Sequence, residues 1–274
     1  MSATITASDI NKLRQATGAG MLDCRKALTE SNGDFEAAID WLRKQGQKVA
    51  AKRSDREAKE GVVIAKTTAD NKTGMIVCIS CETDFVSKNA DFVAFATSIA
   101  DAAVAGNVKS VDELNEVTIN GAKVADMIND KLAAIGEKIA ISRFERVEAP
   151  YVASYIHGAN RMGVLVGMSA ESADAGKDVA MQIAAMNPLA IDETSVSPEL
   201  IAREKEIAIE QIKAEGKPAE MAEKIAMGKV NKFFKENTLM AQPFVKDSSK
   251  SVGDYLKSVH ADLKITEFKR VALG

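Results

Sequence analysis

Two hydrophobic periods divide this chain. From Ser8 to Gln45, Ile10, Leu13, Leu22, Ala27, Leu28, Phe35, Ala38, Ile39 and Leu42 recur at helical spacing. They predict three short helices meeting in one small core, with Trp41 at its edge. Ser8 is placed to cap DINKLRQAT, TGAG makes a tight turn, and MLDCRKALTES follows. NGD then offers Asp34 as the cap of FEAAIDWLRKQ. The next stretch, GQKVAAKRSDREAKEG, has few large apolar residues and reads as a solvated helix or linker. A nucleic-acid patch is the alternative, but Asp55, Glu57 and Glu60 interrupt its basic run.

The pattern then changes to strands and repeats itself. GVVIAKTTADNKTGMIVCISCE reads as strand, turn, strand, and so does YVASYIHGANRMGVLVGMSAE. With Gly74 set on Gly163, MIVCISCE falls on VLVGMSAE. A helix follows each time, DFVAFATSIADAAVAG and then DVAMQIAAMNPLA. Two related α+β halves sharing one core are expected. The connection TDFVSKNA is longer than its counterpart SADAGK, which reads as an ordinary polar loop. Between the halves VDELNEV and GAKVADMINDKLAAIG look helical, and EKIAISRFERVEA returns as a strand.

After the second half, SPELIAREKEIAIEQIKAEGKPAEMAEKIAMGKVNKFFKEN predicts an antiparallel helical hairpin. Pro198 opens one helix and Pro218 the next, with EGKP as the break. Leu200, Ile201, Ile207, Ala208 and Ile212 are placed to face Met221, Ile225, Met227, Val230 and Phe233. The hairpin either packs on the body or protrudes, and its charge-rich outer faces favour an arm. TLMAQPFV, a helix SVGDYLKSVH boxed by Ser251 and Asp254, and the strand KITEFKRVAL close the chain. The expected units are a bundle over 1–45, a linker over 46–60 and a first half over 61–149. A second half spans 150–195 with 235–274, and the arm spans 196–234.

Composition narrows the function. The 274 residues carry 36 Lys and Arg against 39 Asp and Glu, so no basic field exists to hold a phosphate backbone. Direct nucleic-acid binding is not expected. No apolar run is long enough for a membrane span, and MSATITASDINKLR lacks a secretory apolar core. The cytoplasm is the expected location. Cys78 and Cys81 spell C-x-x-C, but on a strand and its end, where residues three apart face opposite sides. Two buried thiols fit better than a redox or zinc pair. No phosphate-binding loop, nucleophile elbow or paired catalytic groups appear. His157 in a turn and His260 at a helix end read as surface or capping residues. A binding protein with several contact modules fits better than an enzyme.

One connection stays unexplained by turn chemistry. CETDFVSK sets Asp84 beside Phe85 between a strand and a helix. A turn welcomes the Asp and has no need of the ring. Taken alone, a large apolar side chain there is more often core packing than a tool for another molecule.

LRQATGAGMLDCRKAL (Leu13 to Leu28) and CETDFVSKNADF (Cys81 to Phe92) closely resemble the two signature stretches of bacterial elongation factor Ts. HGANRMGVLVG, GKPAEMAEKI and AQPFV fit the same family in the same order. The resemblance spans essentially the whole chain. Many members add a helix after the last strand, and contacts made by that helix are expected to be missing here. The resemblance implies an α+β fold: an N-terminal UBA-like three-helix bundle, two antiparallel-sheet-and-helix halves and a protruding hairpin. It implies nucleotide exchange on the GTPase elongation factor Tu, without cofactor or covalent chemistry. It also implies site residues. Thr83, Asp84, Phe85 and Val86 would enter the partner near its magnesium and phosphates. Met21 and Leu22, with Arg14 and Arg25 nearby, would touch the GTPase domain. His157 and Gly158 would meet another domain of the partner, and the hairpin would join copies of the factor as a homodimer.

Overall fold

Thr6, two residues before the expected serine, starts the first helix. Its hydroxyl accepts from the Asp9 N–H at 3.2 Å, and the Asp9 carboxylate accepts from the Thr6 N–H at 3.0 Å. This capping box fixes α1 at Ala7–Thr17 and leaves Ser8 inside the helix. The computed structural model describes residues 4–53, 55–214 and 219–274. Gly18, left-handed at φ 70°, ends α1, and α2 follows over Met21–Glu30. The Asp34 carboxylate accepts from the Ala37 N–H at 2.9 Å, as expected, and begins α3, Phe35–Arg53. Leu13, Cys24, Ala27, Leu28 and Ala38 form the bundle core, with Ile10, Phe35, Ile39, Trp41 and Leu42 around it. Leu22 was expected among them and is 80% exposed instead. It lies two residues from Cys24, about 200° around the helix from the buried stripe.

The body begins with β1 (Glu60–Thr67) and β2 (Thr73–Cys81), joined at a turn where Asn71 takes a positive φ. Then come α4 (Asp84–Ser87), α5 (Ala90–Ala105) and α6 (Val111–Glu116). A small hairpin, β3 (Thr118–Ile119) with β4 (Ala122–Lys123), precedes α7 (Val124–Ile135). The residues GAK, expected to open that helix, therefore turn and pair instead. Strands β5 (Ala140–Glu148), β6 (Tyr151–His157) and β7 (Met162–Met168) lead to α8 (Ala173–Met186). The helical hairpin is α9 (Pro198–Ala214) and α10 (Ala219–Asn237). The chain ends with β8 (Pro243–Phe244), β9 (Asp247–Ser251), α11 (Val252–Val259) and β10 (Ile265–Ala272). Ser251 and Asp254 form the expected capping box on α11.

The duplication seen in the sequence is real in topology. One sheet is ordered β1-β2-β5 and the other β6-β7-β10, both antiparallel. In each half a β-hairpin leads to helices, then to a small hairpin and one further helix, then to the third strand. The middle strands are buried on both faces, as their unbroken apolar runs require. On β2, Met75, Val77, Ile79 and Cys81 face the helices α5, α6 and α7, while Ile76 and Cys78 face the other sheet. Val63, Ala65, Val147, Val152, Leu165 and Val271 complete that inter-sheet layer. Beyond it, Val164, Val166 and Met168 pack on α8 and α11.

Gly74 and Gly163, matched by the alignment, permit this close approach. A Cβ on Gly74 would stand 2.7 Å from Leu165 and Val152, and one on Gly163 would stand 2.9 Å from Val63. SADAGK, expected to be a loop, is instead helical from Ala173. Gly176 is needed where α8 crosses the sheet. A Cβ there would lie 2.6 Å from that of Ala153.

Among the described residues, the arm holds a small core of its own: Ala208, Ile212 and Ala226, with Ile209 and Ile225 beside them. Ile207 and Met227 were placed in that seam and are exposed. Glu215 to Pro218, the expected break, and the side chain of Met221 lie outside the described residues. The base of the arm is held by backbone pairing, Leu189 N–H to Asn237 O and Leu239 N–H to Ala190 O, each at 2.9 Å. Gln182 and Gln242, both fully buried, bond to each other at 3.2 Å, and Gln242 reaches the Glu236 carbonyl at 2.9 Å.

Candidate functional site

β2 ends at Cys81, and the next residues cannot continue the sheet because the Glu82 and Thr83 N–H groups point to another acceptor. Both donate to Glu137 Oε2 at 3.0 Å, and the Thr83 hydroxyl donates to Glu137 Oε1 at 2.6 Å. The Glu82 carboxylate returns the contact, accepting from the Lys138 N–H at 2.6 Å. Two short segments, 82–83 and 137–138, are thus bonded crosswise between the end of β2 and the start of β5.

This junction also takes hold of the N-terminal bundle. Arg53, the last residue of α3, lies 3.5 Å from Glu82, and Arg56 lies 3.1 Å from its other oxygen. The Lys138 ammonium donates to the Arg56 carbonyl at 2.9 Å. The backbone bond from Lys138, helped by both guanidinium groups, holds the Glu82 carboxyl below its ordinary pKa.

From this clamp α4 projects as one turn. Val86 packs half-buried on the first half's core, and Ser87 is buried. Phe85, between these anchors and the clamp, is 86% exposed. The core-packing expectation for its ring is therefore overturned. In one helical turn, Val86 and Ser87 take the inward directions and Phe85 is left facing out. Asp84 bonds to Lys88 one turn along at 2.6 Å, and this pairing lowers its carboxyl pKa. In the first site group, Thr83 and Val86 anchor the turn and Phe85 alone is turned fully outward.

The turn after β6, closed by left-handed Gly158, Ala159 and Asn160, leans on β1. The Val63 N–H donates to the Asn160 carbonyl at 2.7 Å, and Arg161 pairs with Glu60 at 2.7 Å, near enough for the Asp84 charge to act on it. His157, expected in a turn, is the last residue of β6 and is exposed, its Nδ1 3.0 Å from the Tyr155 hydroxyl. Arg14 on α1 and Met21, Leu22 and Arg25 on α2 are all exposed. A groove of about 620 Å³ runs between the bundle and the body, lined by Gly18, Phe85, Phe92, Phe95, Met127 and Ile135 among others. It joins the α1–α2 turn to the Phe85 turn.

The C-x-x-C thiols face opposite ways. Cys78 lies between the sheets and Cys81 in the first half's core. Burial pushes the Cys81 thiol up to about 12, with Glu137 and Glu60 adding to the effect, and its S–H points at the Thr83 carbonyl at 3.3 Å. Such a thiol is neither a ready nucleophile nor a ready metal ligand.

Glu82, Glu137, Arg53 and Arg56 had no role in the sequence reading. Their partners are far apart in the chain, and no periodicity marks an isolated glutamate after a Gly. Glu82 carried one hint: it ends the repeated strand where Glu171 ends its counterpart.

Fold and site together define an α+β protein of duplicated halves that holds a large apolar ring out to solvent on a braced turn. The chain belongs to the elongation factor Ts family: the family model described as Elongation factor TS matches residues 82–274. Curated relatives named elongation factor Ts extend the match over the bundle. That of Flavobacterium psychrophilum is 50% identical, covering 99% of this chain and 100% of the relative. That of Christiangramia forsetii is 49% identical with the same coverage. That of Methylococcus capsulatus is 46% identical over 99% of this chain and 92% of its own.

Proposed function

We propose that this chain is the nucleotide-exchange factor of elongation factor Tu in translation. It binds the GDP-bound GTPase and promotes GDP release, so that GTP can rebind, without covalent chemistry. The observation that carries the reading is Phe85, displayed to solvent on a turn braced at both ends. Family membership supplies the partner. The Thr83–Val86 turn enters the GTPase beside its magnesium and phosphates. Phe85 is the wedge between partner helices. Asp84 bonds displaced groups and disturbs the ion's surroundings.

Burying one Phe side chain gives roughly 1.5–3 kcal/mol, which is one to two decades of affinity at about 1.4 kcal/mol per tenfold. Larger shifts need further contacts. Met21 and Leu22, 54% and 80% exposed, supply apolar area on the bundle, flanked by Arg14 and Arg25. His157 and Gly158 supply another contact at the end of β6. The arm serves a homodimer. The factor works in the cytoplasm and touches no nucleic acid directly. Among the described residues no helix is long and apolar enough to cross a membrane.

Release of labelled GDP from elongation factor Tu tests the proposal. Wild type should accelerate it. Phe85→Ala should slow the accelerated rate at least tenfold while the thermal midpoint stays within about 2 °C, since an exposed ring adds little to the fold. The rival reading is an assembly module built around the arm. It requires self-association of wild type and no effect on release.

A further inference from the structure

We propose that Glu137 is a positioning residue for nucleotide release: it holds Phe85 in the pose that meets the partner. The inference rests on the exchange reading of the Thr83–Val86 turn. A single helical turn is a poor structure by itself, because its few hydrogen bonds do not offset the ordering of its backbone. Its first N–H groups also lack intrahelical partners. Thr83 stands in the capping position of α4 in extended backbone, yet its side chain makes no cap. Its hydroxyl donates instead to Glu137 Oε1 at 2.6 Å, while Oε2 accepts the Glu82 and Thr83 N–H groups at 3.0 Å. One carboxylate, distant in sequence, thereby fixes the start of the turn.

The far end is fixed separately. Ser87 is buried, Val86 leans on the core, and Asn89 caps α5 through the Asp91 N–H at 2.8 Å. The Phe85 ring is too exposed to be held by its own packing. Its direction is set by the backbone, and the backbone is set by these two ends. Removing the Glu137 carboxylate loosens one of them, leaving it only the Glu82 side-chain bonds to the Lys138 N–H, Arg53 and Arg56. The turn then spends only part of its time in the competent pose, and apparent affinity for the partner falls by that fraction.

The test measures stimulated GDP release from elongation factor Tu as a function of factor concentration. Glu137→Ala should need about tenfold more factor for the same rate, because the competent fraction falls. Glu137→Gln should stay within about threefold, since an amide oxygen can still accept both backbone N–H groups. In a Phe85→Ala background, Glu137→Ala should add nothing further, because both act through one ring. A general loss of structure would add in full. Wild-type response from Glu137→Ala, or an undiminished loss in the Phe85→Ala background, overturns the inference and leaves the exchange reading standing. Wild-type chain that leaves GDP bound overturns both. Should Glu137→Ala not fold, Thr83→Val carries the test by deleting only the 2.6 Å bond. About threefold weaker response, absent in the Phe85→Ala background, is then expected, and wild-type response overturns the inference.

Discussion

Glu82 shows how one side chain ties a flexible connection to a site. Its carboxylate meets Arg53, Arg56 and the Lys138 N–H, and its pKa is depressed, mainly by that backbone bond. A depressed folded-state pKa means that the stabilisation is complete above the ordinary value of 4.5 and fades as pH falls through the lower folded value. Glu82→Gln should therefore lower stability at pH 7 by about 1 kcal/mol, a charge-assisted bond discounted for the exposed Arg56. The deficit should shrink as pH falls below 4.5 and the wild-type residue itself takes up a proton. Denaturant midpoints at pH 7 and along an acid series check this, and Trp41, the only tryptophan, reports on the bundle. A deficit that persists in acid would mean that shape, not charge, holds the junction. Of this only the matched place of Glu82 and Glu171 at the ends of the repeated strands was legible in the sequence. TDFV stood out as chemistry without a local purpose, but the acceptor that shapes it comes from the loop before another strand. Sequence patterns report neighbours at fixed spacing, and a bond between residues 83 and 137 has none.

Among the elements, α8 carries the sharpest lesson about what a pattern can say. Strand and helix order, the duplicated halves and the capped C-terminal helix all follow from periodicity and turn residues. SADAGK read as a loop because it is small and polar, yet it opens α8, and by propensity its Gly176 is a weak helix former. On an exposed helix, Gly→Ala gains up to about 1 kcal/mol. Here the added methyl would meet Ala153 Cβ at 2.6 Å and Met168 Cε at 2.9 Å. Overpacking of this kind costs roughly 1–3 kcal/mol, so the sign reverses. Gly176→Ala should lower the denaturant midpoint and leave its slope unchanged. A stabilised variant would show that α8 can move off the sheet freely. The same closeness at Gly74 and Gly163 explains why the two halves could be aligned on their glycines. Each half presses its small residue against the other's branched side chains. In the arm both helices and most of the seam were legible, Ala208, Ile212, Ile225 and Val230 among them, but Ile207 and Met227, each next to a buried residue and about 100° around the helix from it, face out.

For the whole molecule, the separation of its contact groups determines what the proposed exchange can look like. Met21 and Leu22 lie on the bundle, Phe85 on the first half and His157 on the second, with the Glu82–Glu137 junction bracing bundle to body. A partner that touches all three groups gains their contacts together only in a conformation that fits this spacing. If that conformation grips nucleotide poorly, binding of the factor and binding of nucleotide oppose each other. The opposition is a single coupling free energy, so the factor by which this chain weakens GDP must equal the factor by which GDP weakens this chain. Two titrations measure it: GDP affinity of elongation factor Tu with the chain saturating, and affinity for the chain with GDP saturating. Equal factors of about 100 or more are expected, a coupling of at least about 2.7 kcal/mol. Phe85→Ala should reduce both factors by the same amount, whereas Leu22→Ala should weaken binding to the free and GDP-bound partner alike. The bundle would then act as a grip and the turn as the wedge. If Leu22→Ala instead reduced the coupling as much as Phe85→Ala, exchange would depend on both surfaces together, and the division of labour argued from their separate placement would fail.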